Sequence, residues 1–297
     1  MFKNLMVYRI GPDWSATLTE LEEALDKGRF AECGATQMQS LGWVSPRGVA
    51  HGLLAESVGG HWILKLMIEK KVLPGSVVKR AMEQRVKKIE QETGRKPGKK
   101  ESKDLKDELM LELLPKAFTK QESVLVWIDK DKQLLCTNAG SQGKSDVVIT
   151  ALVEACPKLV LTLLQTTASA SACMSAWLSS GEPPAGFSID RECELKAPDE
   201  TKATVRYARH LLDIDEVRAH IAAGKQPTKL AMSWDDRVSF MLTDTMQLKK
   251  VSFLDVVFEG VAHNDDAFDA DAAIATGELR RLIPDLMDAL GGELVKS

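Results

Sequence analysis

The sequence lacks the features that would place it in a membrane or hold it together covalently. No apolar run reaches the ~18 residues that a membrane-spanning helix needs, and no apolar signal core stands near the start of the chain. Five cysteines are scattered without a C-x-x-C pair, so neither a disulfide framework nor a zinc site is indicated. Hydrophobic residues make up 44% of the 297 positions, which is enough for a buried core. We expect a globular, cytosolic protein whose cysteines are buried free thiols.

Recognisable catalytic patterns are also absent. The five histidines show no metal-ligand spacing, and no serine lies in a G-x-S-x-G turn. The acidic stretch from Asp265 to Asp271 has the spacing of a calcium loop, but Ala270 and Thr276 stand where such a loop needs glycine and glutamate. We interpret this stretch as a solvated acidic turn and predict no enzymatic activity, no metal and no cofactor.

One segment approaches a nucleotide-binding motif. Residues 138–145 match a P-loop except that Asn138 replaces the first glycine, and the next predicted strand is followed by Gln165 rather than by an acid that would manage Mg²⁺. We interpret the segment as a strand-to-helix turn with an N-cap serine. A nucleotide-dependent enzyme stays as an alternative.

Positive charge is concentrated in one part of an otherwise acidic chain. The formal net charge is −4, yet eleven Lys or Arg residues stand against five acids between Lys79 and Lys106. Ten acids stand against three bases from Asp255 to Ser297. An acidic chain gains no solubility from collecting its cations in one place, whereas a protein that contacts phosphates needs such a surface. Two other interpretations are a solvated helix surface and a docking site for an acidic protein partner.

The basic stretch has the pattern of two helices. Apolar residues recur at helical spacing from Val77 to Ile89, stop at Gly94–Gly98, and resume from Leu105 to Leu114. We predict a projecting basic helical hairpin over residues 74–118. Its candidate DNA-binding residues are Arg80, Arg85, Lys87 and Lys88.

The rest of the chain predicts an α+β fold, with antiparallel sheets and packed helices. Residues 1–73 and 119–180 are expected to form a central α+β domain, with a loop at Gly42–Pro46. The segment Gly181–Gly186 holds two prolines and two glycines and is the predicted boundary to a C-terminal α+β domain over 181–297. That domain is expected to end in a helix over Gly277–Leu290.

A second group of cations lies in the predicted C-terminal domain. Arg206 and Arg209 stand at the end of one predicted strand, and Lys225 and Lys229 flank the start of another, so four cations are expected on one surface. The sequence has no helix-turn-helix, zinc-finger or RNP motif. This favours binding to the backbone of a nucleic acid, double-stranded or single-stranded DNA, over reading of bases.

Taken together, the chain resembles the RdgC family of bacterial recombination-associated, nucleoid-type DNA-binding proteins. The motifs that carry this resemblance extend nearly from end to end: Phe2–Arg9, Gly42–Val44, Leu113–Phe118, Trp127–Asp129, Gly224–Lys225, Thr228–Ala231, Trp234, Phe268–Asp271, Thr276–Leu279 and Gly291–Glu293.

The resemblance implies a ring-shaped homodimer that encloses duplex DNA without sequence preference and inhibits RecA-promoted recombination. It further implies that Lys116, Arg209 and Lys225 face the DNA and that Phe118 lies at a dimer interface. The protein would then be cytoplasmic and associated with the nucleoid.

Overall fold

The computed structural model describes residues 1–259 and 267–294, and its strands form one antiparallel path. The strands are β1 Asn4–Ile10, β2 Gln39–Val44, β3 Ala55–Val58, β4 His61–Val72, β5 Phe118–Asp129, β6 Leu134–Thr137, β7 Leu161–Leu163, β8 Phe187–Lys196, β9 Thr204–Ala208, β10 Gln226–Trp234, β11 Val238–Thr243 and β12 Leu248–Phe253. Their order is β2-β4-β5-β6-β1-β12-β11-β10-β8-β9, with β3 beside β4 and β7 beside β1.

Seven α-helices accompany the sheet in the described ranges: α1 Leu18–Asp26, α2 Gly75–Thr93, α3 Lys99–Leu113, α4 Gln142–Ala155, α5 Ala170–Ser180, α6 Asp215–Ala222 and α7 Ala267–Ala289. Short 3-10 helices cover Leu114–Lys116 and Asp255–Phe258. The mixed fold with antiparallel strand pairing confirms the predicted α+β class. The predicted boundary at 181–186 falls between α5 and β8, and the division into domains stays a prediction.

Strand β1 joins the two halves of the sheet. Leu5 pairs with Leu248 of β12, and Val7 pairs with Cys136 of β6. Because alternate residues of a strand point to opposite faces, Leu5 and Val7 face one side and Met6 and Tyr8 face the other. These two sets belong to separate hydrophobic clusters, one on each side of β1.

The two hydrophobic clusters involve different helices. Apolar residues of α5 and α7 form one hydrophobic cluster with residues of β8 and β10 to β12. Leu230, Leu248 and Leu282 are members of this cluster. Residues of α1 and α4, such as Leu21 and Leu152, belong to the cluster on the other face of β1, β4 and β5. In the C-terminal half, the alternate strand positions point away from this cluster and are mostly polar, with Ala231 and Met241 among the apolar exceptions.

The predicted pair of helices is present as α2 and α3. Helix α2 ends at Gly94, whose φ of +70° is a left-handed conformation that glycine adopts without strain. The helices contact each other, and Arg85 of α2 lies 3.2 Å from Glu112 of α3. Val78 and Leu109 are their buried residues, so this helical hairpin (residues 75–113) has little core of its own.

The loop predicted at Gly42–Pro46 is wrong over its first half. Residues Gln39–Val44 form β2, which pairs with β4 along its whole length. Glycine was interpreted as a breaker of regular structure, but Gly42 allows a close approach of two backbones. A Cβ at Gly42 would lie 2.4 Å from the Cα of Phe30, and the Phe30 N–H donates to the Trp43 carbonyl oxygen at 3.0 Å.

The predicted acidic turn is also wrong for the residues that can be checked. Asp269 and Asp271 lie in α7, which begins ten residues before the predicted start at Gly277. Four alanines between positions 270 and 275 favour a helix there. Asp269 pairs with Arg47 at 2.6 Å, whereas Asp265 and Asp266 lie outside the described residues.

Candidate nucleic-acid interface

The candidate interface in the C-terminal half is centred on three neighbouring strands, β9, β8 and β10, and extends to β12. Cys193 and Leu195 of β8 point into the hydrophobic cluster, so Glu192, Glu194 and Lys196 point to the opposite face. Register pairs place further cations on this face. We call it the charged face: Glu192, Glu194, Lys196, Arg206, Lys229, Lys249 and Lys250.

Glu194 lies at the centre of the charged face and contacts two of the predicted DNA-binding cations. The Arg206 guanidinium donates to Oε2 through both Nε, at 3.0 Å, and Nη2. Lys229 Nζ lies 3.0 Å from each carboxylate oxygen, and Thr228 Oγ1 donates to Oε1 at 2.9 Å. The Glu194 side chain is 12% exposed, whereas that of Arg206 is 62% exposed.

These contacts determine the charge state of Glu194. Burial raises the pKa of its carboxyl group, but hydrogen bonds from Lys229, Arg206 and Thr228 outweigh burial and lower the pKa from about 4.5 to about 2. The carboxylate is therefore ionised at neutral pH and neutralises one of its two cationic partners.

Arg209 and Lys225 do not join this cluster. Arg209 follows β9 at the end where Ala208 pairs with Glu192, and Lys225 precedes β10 at the end where Gln226 pairs with Lys196. At the usual rise per residue Glu192 and Lys196 lie about 13 Å apart along β8. Of the four predicted cations, Arg206 and Lys229 share Glu194, whereas Arg209 and Lys225 flank this pair at different levels of β8.

Arg209 and Lys225 differ in their surroundings. Arg209 is exposed, has a left-handed φ of 57°, and takes part in no ion pair within the described residues. Lys225 is half-buried, and its Nζ lies 3.3 Å from His220 Nδ1. Neither cation is paired with a carboxylate in the described part of the chain.

Three cations of the charged face were missed in the sequence: Lys196, Lys249 and Lys250. Lys249 alternates with the buried Leu248 in β12, so the alternation of inward and outward residues was a signal that could have found it. Lys250 has a φ of 52°, and its Nζ lies 2.9 Å from both carboxylate oxygens of Glu192. A residue in this backbone conformation breaks the alternation and gives no such signal.

The cations predicted in the helical hairpin are all exposed on α2. Arg85 pairs with Glu112, and Lys88 lies 3.9 Å from Glu92 one turn further along. Arg80 and Lys87 form no ion pair with any residue that the structure describes. These side chains are accessible to a polyanion, and their role in binding stays a prediction.

Lys116 and Phe118 follow the helical hairpin. Lys116 is exposed at the end of the 3-10 helix Leu114–Lys116. Phe118 is the first residue of β5, pairs with Val72 of β4, and is 86% exposed. Its ring is therefore not tucked beneath α3, and it leaves a large apolar group uncovered next to the exposed Val72.

The near P-loop is held by internal hydrogen bonds. Asn138 Oδ1 accepts from the backbone N–H groups of Lys3 and Asn4, at 3.1 and 2.9 Å. Ser145 is buried against Tyr8 and Thr137, with oxygen distances of 2.8 and 2.7 Å. The predicted N-cap is only half right, because Ser141 occupies the N-cap of α4 but its side chain makes no capping hydrogen bond.

Lys144 of the same segment pairs with Glu122 at 2.8 Å, so it too has a partner within the chain. In residues 1–259 and 267–294, no group of three or more His, Cys, Asp or Glu is arranged to hold a metal ion. Over the same ranges, no helix is long and apolar enough to cross a membrane.

The fold and the charged face define a mixed α/β protein with one large antiparallel sheet and a group of cations on one sheet face. Residues 1–293 match the model of a protein family described as "Putative exonuclease, RdgC". The chain belongs to this RdgC family.

Curated relatives match the chain over nearly their full length. The chain is 44% identical over 303 residues to the recombination-associated protein RdgC of Dechloromonas aromatica, covering 100% of this chain and 99% of the relative. It is 44% identical over 298 residues to the protein of that name from Bordetella pertussis, and 45% identical over 296 residues to that from Cupriavidus necator, each covering 98% of both chains. Recombination is thus the process in the relatives' names, and those names contain no enzymatic term.

Proposed function

We propose that this protein binds double-stranded DNA through its phosphates, without sequence preference and without cleaving it. The observation that carries the proposal is the group of cations on the charged face. Five Lys or Arg residues of that face stand on neighbouring strands, with Arg209 next to the Ala208–Glu192 pair and Lys225 next to the Gln226–Lys196 pair. Phosphate contacts of this kind give affinity and orientation but no sequence information.

The DNA is enclosed by a ring formed from two copies of the chain. Support comes from Phe118, whose ring is 86% exposed at the base of the helical hairpin and so is available to a second copy. A twofold contact would bury such a ring once from each subunit. The helical hairpin supplies Arg80, Arg85, Lys87 and Lys88 as additional phosphate contacts, with Lys116 close to the junction.

In the cell, a ring on duplex DNA restrains RecA-promoted strand exchange by occupying the DNA that RecA needs. The relatives' shared name, recombination-associated protein, is in line with this role. The protein would act in the cytoplasm as part of the nucleoid.

A gel shift on random duplex DNA over a series of salt concentrations tests the proposal. If about six phosphates are neutralised, log affinity falls against log salt with a slope of about −5. Duplexes of unrelated sequence should give the same slope and the same affinity. A slope near zero, or a strong preference for one sequence, would contradict phosphate binding.

The same DNA tests the other functions. Shortening of the duplex with Mg²⁺ would favour the exonuclease of the family description. Absence of any shift at low salt would favour a protein-only adaptor, and binding of labelled ATP would favour the nucleotide-dependent enzyme.

A further inference from the structure

Glu194 is placed where a DNA phosphate would have to go. Its carboxylate accepts hydrogen bonds from the Arg206 guanidinium and the Lys229 ammonium. Both cations belong to the proposed phosphate-binding surface. Carboxylate and phosphate oxygens are bound by the same donors, because arginine presents a planar fork and lysine a point charge to either of them. The carboxylate therefore occupies the donors that a phosphate would use.

The geometry points to Glu194 as a built-in competitor of DNA phosphates, which limits the affinity of the charged face for DNA. This inference rests on the proposed function. Two cations and one anion leave a single positive charge at the centre of the face. A phosphate that approaches must share or displace these donors, and it is also repelled by a carboxylate that stays ionised in its hydrogen bonds. Limited affinity would suit a protein that holds DNA by enclosing it.

Glu194 and a second carboxylate, Glu278, connect different parts of the fold. Glu278 also binds two cations, Arg237 at 2.7 Å and Arg281 at 2.7 Å, but it connects α7 to the turn between β10 and β11. Glu194 connects β8 to β9 and β10, which are already paired with β8 through their backbones. Removing the charge of Glu194 therefore leaves the strands held by their backbone hydrogen bonds.

The decisive experiment compares the DNA affinity of the full-length protein with that of Glu194→Gln over a salt series. Glutamine keeps the size of the side chain but releases both cations, so we expect tighter binding and a slope steeper by about one. With that slope, the gain over the wild-type protein is about three-fold larger at about 50 mM salt than at about 200 mM. The control is Glu23→Gln, an exposed residue of α1 that changes the net charge equally and should leave the slope unchanged.

A second variant tests whether the released cations, and not the change in net charge, cause the tighter binding. In Glu194→Gln/Lys229→Ala, one of the released cations is gone, so most of the gain should disappear. Unchanged or weaker binding by a folded Glu194→Gln protein would overturn the proposal, because Glu194 would then be orienting the two cations for DNA.

The proposal can be tested even if Glu194→Gln does not fold. Because Glu194 neutralises whichever of its two cations remains, Arg206→Ala should lower the slope by about one, and adding Lys229→Ala should lower it little further. A second loss of about one in the double variant would overturn the proposal. Absence of DNA binding by the wild-type protein would instead overturn the proposed function, and this inference with it.

Discussion

The helical hairpin and the charged face both collect cations, but they hold them in different ways. In the helical hairpin, ion pairs such as Arg85 with Glu112 and Arg95 with Glu101 join groups that are all well exposed. On the charged face, Arg206 and Lys229 converge on Glu194, whose side chain is nearly buried. The first region is a set of separate charges on a helix surface, whereas the second is a coupled cluster on a sheet.

This difference determines how each region should respond to mutation. Exposed ion pairs contribute only about 0 to 1 kcal/mol to stability, so the cations of the helical hairpin can be changed independently and at little cost to the fold. Groups that share a partner do not respond independently, because removing one changes what the other contacts. Effects on DNA binding should therefore be additive in the helical hairpin and non-additive around Glu194.

The largest effect is expected from reversing the four predicted cations of α2 together. Changing Arg80, Arg85, Lys87 and Lys88 to glutamate removes up to about four phosphate contacts, which would lower the salt slope by about four. The ratio of affinities at about 50 and about 200 mM salt would then shrink by about 100-fold. The measurement is the gel-shift salt series, and the melting temperature should stay within a few degrees of wild type.

A matched control uses the other helix of the same hairpin. Reversing Lys99, Lys100, Lys103 and Lys106 of α3 gives the same change in net charge on a different surface. If this control loses as much affinity as the α2 variant, the general charge of the helical hairpin matters rather than its α2 surface. No loss in either variant would leave the charged face as the only binding region.

Phe118→Ala separates assembly from DNA contact and should have the next largest effect. Burial of a phenyl ring at a subunit junction contributes roughly 1.5 to 3 kcal/mol per copy, or about 10-fold to 100-fold in the dissociation constant of that junction. Because Phe118 is almost fully exposed in the single chain, its truncation should spare the melting temperature. We expect weaker dimerisation by sedimentation and a selective loss of retention on circular duplex, which a closed ring cannot leave.

Leu111→Ala is the control for this variant, because Leu111 is also an exposed apolar residue but lies on α3 and not in the Val72–Phe118 pair of β4 and β5. It should change neither mass in solution nor retention on circular DNA. A large drop in melting temperature for Phe118→Ala, with unchanged assembly, would show that its ring supports the fold instead.

The sequence predicted the two helices α2 and α3 correctly, because their signals are local. Helical spacing, the break at Gly94–Gly98 and the run of charges all lie within about 40 residues of each other. Strand β2 was missed for the opposite reason. A glycine is needed at position 42 because the backbone of Phe30 lies against it, and no local sequence pattern reveals this contact. The start of α7 was missed because acidic spacing was given more weight than the helix propensity of its alanines.

On the charged face, the sequence identified the cations but not their arrangement. Arg206 and Lys229 stand 23 positions apart, and only the pairing of β9 and β10 with β8 brings both to Glu194. Glu194 was not singled out because a lone glutamate in a strand has no motif. Predicting the cluster requires the register of three strands, which in turn depends on a bulge between Pro227 and Lys229.

The smallest effects should come from single changes of cations on the charged face and beside it, and pairs of such changes provide the sharpest test of the comparison. Arg209→Glu and Lys225→Glu each remove about one phosphate contact, so each should lower the salt slope by about one for every duplex alike. Because these residues adjoin positions of β8 that lie about 13 Å apart, the double variant should lose the sum of the two effects.

Arg206→Ala and Lys229→Ala should behave differently from that distant pair. Either single change leaves Glu194 neutralising the remaining cation, so the first truncation removes most of the positive charge at the centre of the face. The second truncation then exposes an unpaired carboxylate to the DNA. A double-mutant cycle on the dissociation constants should therefore give a coupling of about 0.5 kcal/mol or more for Arg206 and Lys229, and less for Arg209 and Lys225. Equal coupling in both cycles would mean that the Glu194 contacts do not persist when DNA is bound, and that the charged face acts as independent charges like the helical hairpin.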